Sequence, residues 1–485
     1  MSEALVVLMV LLPLLLAGML LLAPGGWRQR MGLSATLLSV APLPPLLWSV
    51  WHSGVVEVAL GGWQPPLGIA LRADGLALLL LTLTALIALP LGLHAGPWFR
   101  AHATVGGRGG EWFWPLWLFL WSSLNLLFLA ADLFNAYVGL ELGGLAAVAL
   151  VALGGGRDAL QAALRYLLLA LFASMLYLLG VALLYGAGGT LDLALLGGRL
   201  ESGVASRAAL VLITLGLSLK GALVPFHFWL PPAHATAPAP VSALLSALVV
   251  KAPLVLLLRI WFELFVPLGF GAAGEVLTLL GVVAILWGSL QALRQQRIKP
   301  LVAWSTVAQL GYLFLVFAIA TGLAWSATLL HLTAHALAKA ALFLAAGNIV
   351  LALGDDRLSS LRGASHGMPL TFFTVGLAGV SLMGLPPSGG FVAKWLLLQA
   401  ALEQGRWLPV VAILAGSLLA AAYLFPLLRH ALTGTLKPTG ESAGRSLPLR
   451  LELPPLLLAL LALLLGVLAS WPLALLKPAM PVVLS

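Results

Sequence analysis

The sequence predicts an all-α polytopic membrane protein of about fourteen transmembrane helices, and three observations carry that prediction. Of the 485 residues, 61% are hydrophobic and only 8% charged, with a mean hydropathy of +1.08; soluble domains run near 45–50% and about 25%. Apolar stretches of about 20 residues, the length that crosses a bilayer core, recur throughout the chain. The cationic residues also sort by loop. With the N-terminus outside, fifteen of the 25 Lys and Arg fall on cytoplasmic loops (Arg108, Lys437 and Arg445 among them), five outside and five within spans. That three-to-one bias follows the positive-inside rule, and an odd number of spans would scramble it. The same bias accounts for the net charge of +9 without nucleic acid. There is no cysteine, so no disulfide, iron–sulfur or thiolate metal site belongs to this chain, and any redox chemistry sits on a partner.

In chain order the spans fall at 4–23, 33–51, 74–95, 112–131, 133–153, 162–186, 208–230, 240–263, 272–293, 301–321, 326–353, 370–397, 408–428 and 453–473. The first is too long and unbroken for a cleaved signal peptide. Pro42, Pro44 and Pro45 interrupt the second, and Asp132 alone separates the fourth from the fifth. The seventh and eighth carry Lys220 and Lys251, with Pro225, Pro231, Pro232, Pro238 and Pro240 between them and His227 and His234 interleaved. Backbone freed by such prolines is tolerable only inside protein or beside a wet cavity. SLKGALVPFHFW (218–229) echoes SLMGLPPSGGFVAKW (381–395), and a pair of interrupted spans, one per half, points to inverted-repeat transporters. The longest hydrophilic loops, near 187–207 and 430–452, leave no room for a soluble domain; TGTLKPTGESAGRS has a linker's composition.

Charges inside the spans nominate the chemistry. An uncompensated charge at the bilayer centre costs at least ~2.5–3.5 kcal/mol, yet Lys220, Lys251, Lys339 and Lys394 all lie in apolar segments. A buried lysine's proton affinity follows its neighbours' charge, as a relay requires. Arg259, with Glu263 one turn on, is expected instead to snorkel to the headgroups. Glu141 is the one acid deep in a span, and a lysine of another span is its natural partner, either as a relay pair or as a structural ion pair. Asp132 marks either an inlet or a helix cap. His331, His335 and Lys339 stand at i, i+4 and i+8 on one helical stripe, which suits a proton wire or polar packing; Lys339 would repel a metal, so no metal is expected. Ser305, Thr306 and Gln309, after the basic RQQRIK, either hold water beside a lysine or pack. The Trp cluster 112–121 is an interfacial belt. No nucleotide fingerprint is present and no cofactor is expected.

Several segments then carry a resemblance: DLFNAYVGLE, LKGALVPFHFWLPPAHATAPAPVSALLSALVVK, IKPLVAWSTVAQLGY, HLTAHALAKAALFLAAG and GLPPSGGFVAKWLLLQA. Over roughly 75–480 the chain resembles the antiporter-like membrane subunits shared by complex I, membrane-bound hydrogenases and Mrp-type sodium/proton antiporters, and is most similar to the D-type member of the Mrp antiporters. The HLTAHA histidines set it apart from the N-type member of complex I, Lys394 from the M-type, and the length from the L-type. The resemblance implies two inverted five-helix repeats, broken helices 7 and 12, and a mid-membrane charge row. It implies helices 1–3 over 1–110, repeats over 111–265 and 266–430, and a cytoplasmic linker with the last helix over 431–485. Glu141, Lys220, Lys251, His335 and Lys394 match the family's charged positions, with His331 and Lys339 alongside and His227, His234, Lys299, Ser305 and Gln309 as auxiliaries. Pro232, Pro300 and Arg165 depart from the usual pattern. Implied too are a multisubunit complex in a bacterial inner membrane, other membrane subunits as partners, and proton movement, with sodium moved if at all by the complex. The rival implication is the pumping arm of a complex I-like or hydrogenase-like enzyme.

Overall fold

The computed structural model describes residues 2–102, 109–433 and 447–484. Arg108, Lys437, Arg445 and nearly all of the expected linker lie outside the described residues. Among the described residues, twelve helical stretches are long and apolar enough to cross a membrane, and the chain is a multi-pass membrane protein.

Helix α1 (Ser2–Leu22) leads into α2 (Gly25–Val40) and α3 (Leu43–Ser53). The prolines expected to interrupt this region sit at the start of α3, where a missing amide hydrogen costs nothing; they joint the span without ending it. A hairpin not foreseen in the sequence follows, β1 (Val56–Ala59) paired antiparallel with β2 (Ala70–Ala73), Val56 opposite Ala73. Val56 and Val58 face inward and Glu57 outward, the alternation of a strand with one buried face. Then come α4 (Gly75–Ala101), α5 (Gly109–Leu129), α6 (Leu133–Ala152), α7 (Gly156–Gly188), the short α8 (Leu193–Gly197) and α9 (Val204–Lys220).

Helix α9 stops at Lys220. Residues 221–225 are not helical, Ala222 adopts a left-handed φ of 53°, which is rare outside glycine, and the chain resumes as α10 (Leu230–Thr236). The next crossing is α11 (Ala239–Leu244), a π-helical turn over Leu245–Val249, and α12 (Ala252–Ile260), closed by a second π turn at Trp261–Phe265. Helices α13 (Gly274–Leu293), α14 (Ile298–Leu313), α15 (Val316–Ile319) and α16 (Gly322–Leu353) follow. Gly281 and Gly311 let α13 and α14 touch, since a Cβ on either would run into the other's carbonyl. A second break separates α17 (Pro369–Met383) from α18 (Gly389–Glu403), which Ser388 caps by accepting from the Phe391 amide. Helices α19 (Trp407–Leu432), α20 (Leu449–Val467) and α21 (Ser470–Leu476) complete the chain.

The buried centre is α16, packed by α11, α14, α17, α18 and α20. The crossing from Ala239 to Phe265 is enclosed on every side. By contrast α7, α13 and α19 present Leu168, Met175, Leu279, Leu290, Leu418 and Phe425 outward. Polar side chains are therefore gathered at the middle of a ring of apolar helices, and the functional question concerns what they do there.

Candidate ion-transfer site

Glu141 projects from the middle of α6 and meets Lys220 at the end of α9, with Nζ 2.8 Å from Oε1. The Ser174 hydroxyl of α7 faces the same oxygen. Both charges are largely withdrawn from the surface, the lysine side chain 6% and the carboxylate 19% exposed. The break after Lys220 places the ammonium at a helix end, where backbone carbonyls lack helical partners.

Lys251 lies across the interior, 2% exposed, and its ammonium hydrogen-bonds the Ser246 carbonyl. That carbonyl is available because the π turn diverts the amides beyond it: Val250 bonds Leu245 and Lys251 bonds Leu248. Lys339, fully enclosed on α16, donates to the Val302 carbonyl at 2.9 Å and to the Ser305 hydroxyl. Lys394 of α18 reaches into the second break and donates to the Leu382 carbonyl at 2.8 Å and to Ser417 at 3.3 Å, with the Tyr312 ring 4.5 Å from its nitrogen. Among the described residues no carboxylate hydrogen-bonds to Lys251, Lys339 or Lys394, so the row holds one tightly paired ammonium and three that lean on carbonyls and hydroxyls. Gln309 spans α14 to α17 through the Leu382 carbonyl at 3.2 Å and approaches the Tyr423 hydroxyl at 3.5 Å, and Tyr423 also faces Ser305.

The two histidines of the stripe lie between these lysines with rings stacked 6.0 Å apart. Among the described residues no ring nitrogen of His331 or His335 has a hydrogen-bond partner; the His331 ring lies 5.2 Å from that of Tyr312. His234 stacks on Phe343 of α16 at 5.0 Å and feels the charges of Lys339, Lys251 and Lys299. His227 lies edge-on to Trp304 at 5.3 Å, on the flank and apart from the row. Lys299 donates to the Ala237 carbonyl at 2.7 Å and lines a cavity of about 500 Å³ with Arg100, His102, Thr236, Pro238 and Gly347. His102, stacked on Trp98 at 3.8 Å, is held below the usual imidazole range by burial.

Asp132 caps α6, accepting from the Phe134 and Asn135 amides at 3.0 and 2.8 Å; burial raises its carboxyl above the ordinary range despite those bonds. Arg259 corrects the sequence reading. It does not snorkel outward but is buried, clamping Asp74 with two bonds of 2.9 and 2.8 Å. Burial alone would raise the Asp74 carboxyl; Arg259 and Arg72 outweigh it and hold it below the ordinary range. Asp74 in turn caps α4 through the Ala77 amide. Sequence reasoning missed Asp74, Ser174, Ser246, Ser417 and Tyr423. A carboxylate immediately before an apolar run was a usable signal for Asp74; the hydroxyls had none, being common in membrane helices.

This geometry has company among known proteins. The family described as NADH:quinone oxidoreductase/Mrp antiporter, TM, matches residues 130–420. A protein of Desulforudis audaxviator, named as the N-type component of an NADH-quinone oxidoreductase, is 40% identical over 84% of this chain and 83% of its own. The D-type component of the Na(+)/H(+) antiporter of Alkalihalophilus pseudofirmus is 30% identical over 95% and 93%. Among solved structures, a chain of the Mrp complex from Dietzia sp. DQ12-45-1b superposes with a TM-score of 0.89 at 26% identity, over 100% of this chain and 99% of that one. A chain of the archaeal membrane-bound sulfane sulfur reductase gives 0.88 at 27%, over 98% and 96%. The likeness is thus shared between proteins named as parts of antiporters and of oxidoreductases, the HLTAHA histidines notwithstanding.

Proposed function

The chain belongs to the NADH:quinone oxidoreductase/Mrp antiporter transmembrane family, and on that footing we propose that it is a proton-translocating subunit of a multisubunit membrane complex, acting in Mrp-type cation/proton antiport. One observation carries the reading: a single carboxylate–ammonium pair, Glu141–Lys220, heads a buried row whose other lysines have no carboxylate bonded to them among the described residues. A carboxylate that gains or loses charge switches the hold on Lys220. At an effective dielectric of about 20, charges 2.8 Å apart attract by ~6 kcal/mol, which is enough to move a proton along neighbouring amines. Lys251 and Lys339, then Lys394, take up the change in turn, with His331 and His335 beside them. The cavity at Lys299, next to Ala237 and three residues from His234 in sequence, is the inlet from one side. His227 and Asp132 stand outside this path, as packing and capping groups.

Counting α9–α10 and α17–α18 as interrupted crossings beside the twelve continuous ones gives fourteen, with the N-terminus outside and the inner membrane of a bacterium as location. In this reading 1–110, 111–265, 266–430 and 431–485 are the leading helices, two inverted repeats and the closing segment. Partners are other membrane subunits. The part-exposed Glu141 lies on a flank with Leu142 and Leu145, and a carboxylate at that depth needs a protein neighbour more than lipid. Protons, more than sodium, suit this row, because one deep carboxylate is a poor start for a site of several oxygens.

The 40% identity to a protein named as part of an NADH-quinone oxidoreductase favours a second reading, the pumping arm of a redox-driven complex. Mass spectrometry of the complex purified through this chain separates the two: small antiporter subunits in one case, iron–sulfur or nickel–iron subunits in the other. The relay itself is tested in inside-out vesicles with Lys220→Ala and Glu141→Ala. Both abolish proton movement with the complex assembled; near-normal movement in both overturns the relay.

A further inference from the structure

Between Lys251 and Lys339 stand two hydroxyls that the charge row does not include. Ser246 Oγ, on the π turn preceding Lys251, lies 3.0 Å from Thr306 Oγ1 of α14, and either atom can be the donor. Both residues are fully buried. Each hydroxyl sits beside a carbonyl that accepts from one lysine. Lys251 already bonds the carbonyl of Ser246 itself, so a small swing of its long side chain carries the ammonium from that oxygen to the hydroxyl of the same residue. Thr306 Oγ1 donates to the Val302 carbonyl at 3.1 Å, the oxygen that also accepts from Lys339 at 2.9 Å; threonine and ammonium are thus held side by side on one acceptor. The histidines offer no comparable bridge, for no ring nitrogen of His331 or His335 makes a hydrogen bond among the described residues.

We propose that Ser246 and Thr306 are relay residues forming the proton crossing from Lys251 to Lys339, and so from the α11–α12 crossing to α14 and α16. The step balances. An N–H bond of the Lys251 ammonium breaks as its proton joins Ser246 Oγ, the Ser246 proton passes to Thr306 Oγ1, and the Thr306 proton forms a new N–H bond on a neutral Lys339. Both hydroxyls end neutral, each having exchanged one proton and reversed its orientation. Moving in concert avoids a bare alkoxide, whose burial without compensation is prohibitive. Rotation of the two hydroxyls then resets the bridge, which makes it directional until reset. The π turn is the device that builds the crossing, since it both aims Ser246 and releases the carbonyl that parks Lys251; such turns occur frequently at functional sites.

The inference rests on the relay reading above, and the test separates their failures. Proton movement is measured in vesicles carrying the whole complex with Ser246→Ala/Thr306→Val, Thr306→Ser and Lys220→Ala, each normalised to assembled complex. Deleting both hydroxyls together leaves no orphaned partner, so folding is little affected. The double variant is expected to lose about 10²-fold, the low end for removing a positioned proton-transfer group, while Thr306→Ser, which keeps the hydroxyl, stays close to the unmodified protein. A double variant that transports normally while Lys220→Ala does not overturns the crossing alone. Loss in Thr306→Ser equal to that in the double variant also overturns it, because packing and not the hydroxyl is then what matters. Normal transport in Lys220→Ala overturns the relay and the crossing with it.

Discussion

Replacing Glu141 by glutamine removes a charge and almost nothing else. The amide keeps the carboxylate's shape and accepts from Ser174 and Lys220 as the carboxylate does. The attraction removed is ~6 kcal/mol for 2.8 Å at an effective dielectric of about 20, against ~1 kcal/mol retained by a neutral hydrogen bond. The difference of ~5 kcal/mol is a ceiling, and the 19% exposure of the carboxylate lowers it through solvent screening. Even a third of it exceeds the ~1.36 kcal/mol that makes a factor of ten. Proton-coupled movement in vesicles, followed with a pH-sensitive dye after an imposed gradient, is therefore expected to fall at least about tenfold with the complex intact. Movement at the normal rate in Glu141→Gln would mean that the pair is a structural ion pair whose charge does not drive transfer.

Other perturbations discriminate between packing and transfer. Asp74→Ala strands the Arg259 guanidinium in the interior and is expected to cost ~3–5 kcal/mol, whereas Asp74→Ala/Arg259→Met recovers most of it; thermal unfolding of the purified complex reads both, and equal losses would show that the ion pair is not what holds this region. The same pair sets a pH dependence. Asp74 is held below its ordinary value, so its contribution is complete above the unfolded carboxylate value of about 3.9 and is lost as pH falls through the lower folded value; an acid-unfolding curve of Asp74→Asn lacking that step checks the sign. Asp132→Ala should cost ~0.5–2 kcal/mol as a lost helix cap and leave transport normal per assembled complex, while abolished transport would restore Asp132 to the path. Lys394→Ala should stop proton movement without unfolding the chain, because the Leu382 carbonyl it leaves still accepts from the Gln309 amide; retained movement would end the row at Lys339.

What the sequence discloses and what it hides follow from the bilayer. Glu141, Lys220, Lys251, Lys339 and Lys394 are legible because each interrupts an apolar run that lipid would otherwise solvate, and the spans are legible for the same reason. Arg259 misleads because snorkelling and pairing give the same local sequence; its partner Asp74 is 185 positions away, and only folding brings them together. The hairpin at 56–73 is hidden by its length, four residues to a strand. Ser246 is invisible for a different reason: its role depends on a π turn, a register change in the backbone that no residue type announces. Hydroxyls cost little to bury in a helix, since each can bond a carbonyl one turn back, so their presence in a span carries no warning of use. His331, His335 and Lys339 all project from the one helix α16, yet that shared origin does not make the histidines hydrogen-bond to one another or to the lysine.

On the proposed relay, buried amines exchange protons because a neighbour's charge changes. The chain has seven lysines, few enough for nitrogen-15 labelling and direct observation of each Nζ by solid-state NMR in the assembled complex. Spectra of the unmodified protein and of Glu141→Gln are expected to differ in the charge state of at least one of Lys220, Lys251, Lys339 and Lys394. Identical charge states at all four positions in the two proteins would mean that Glu141 does not govern the protonation of these lysines.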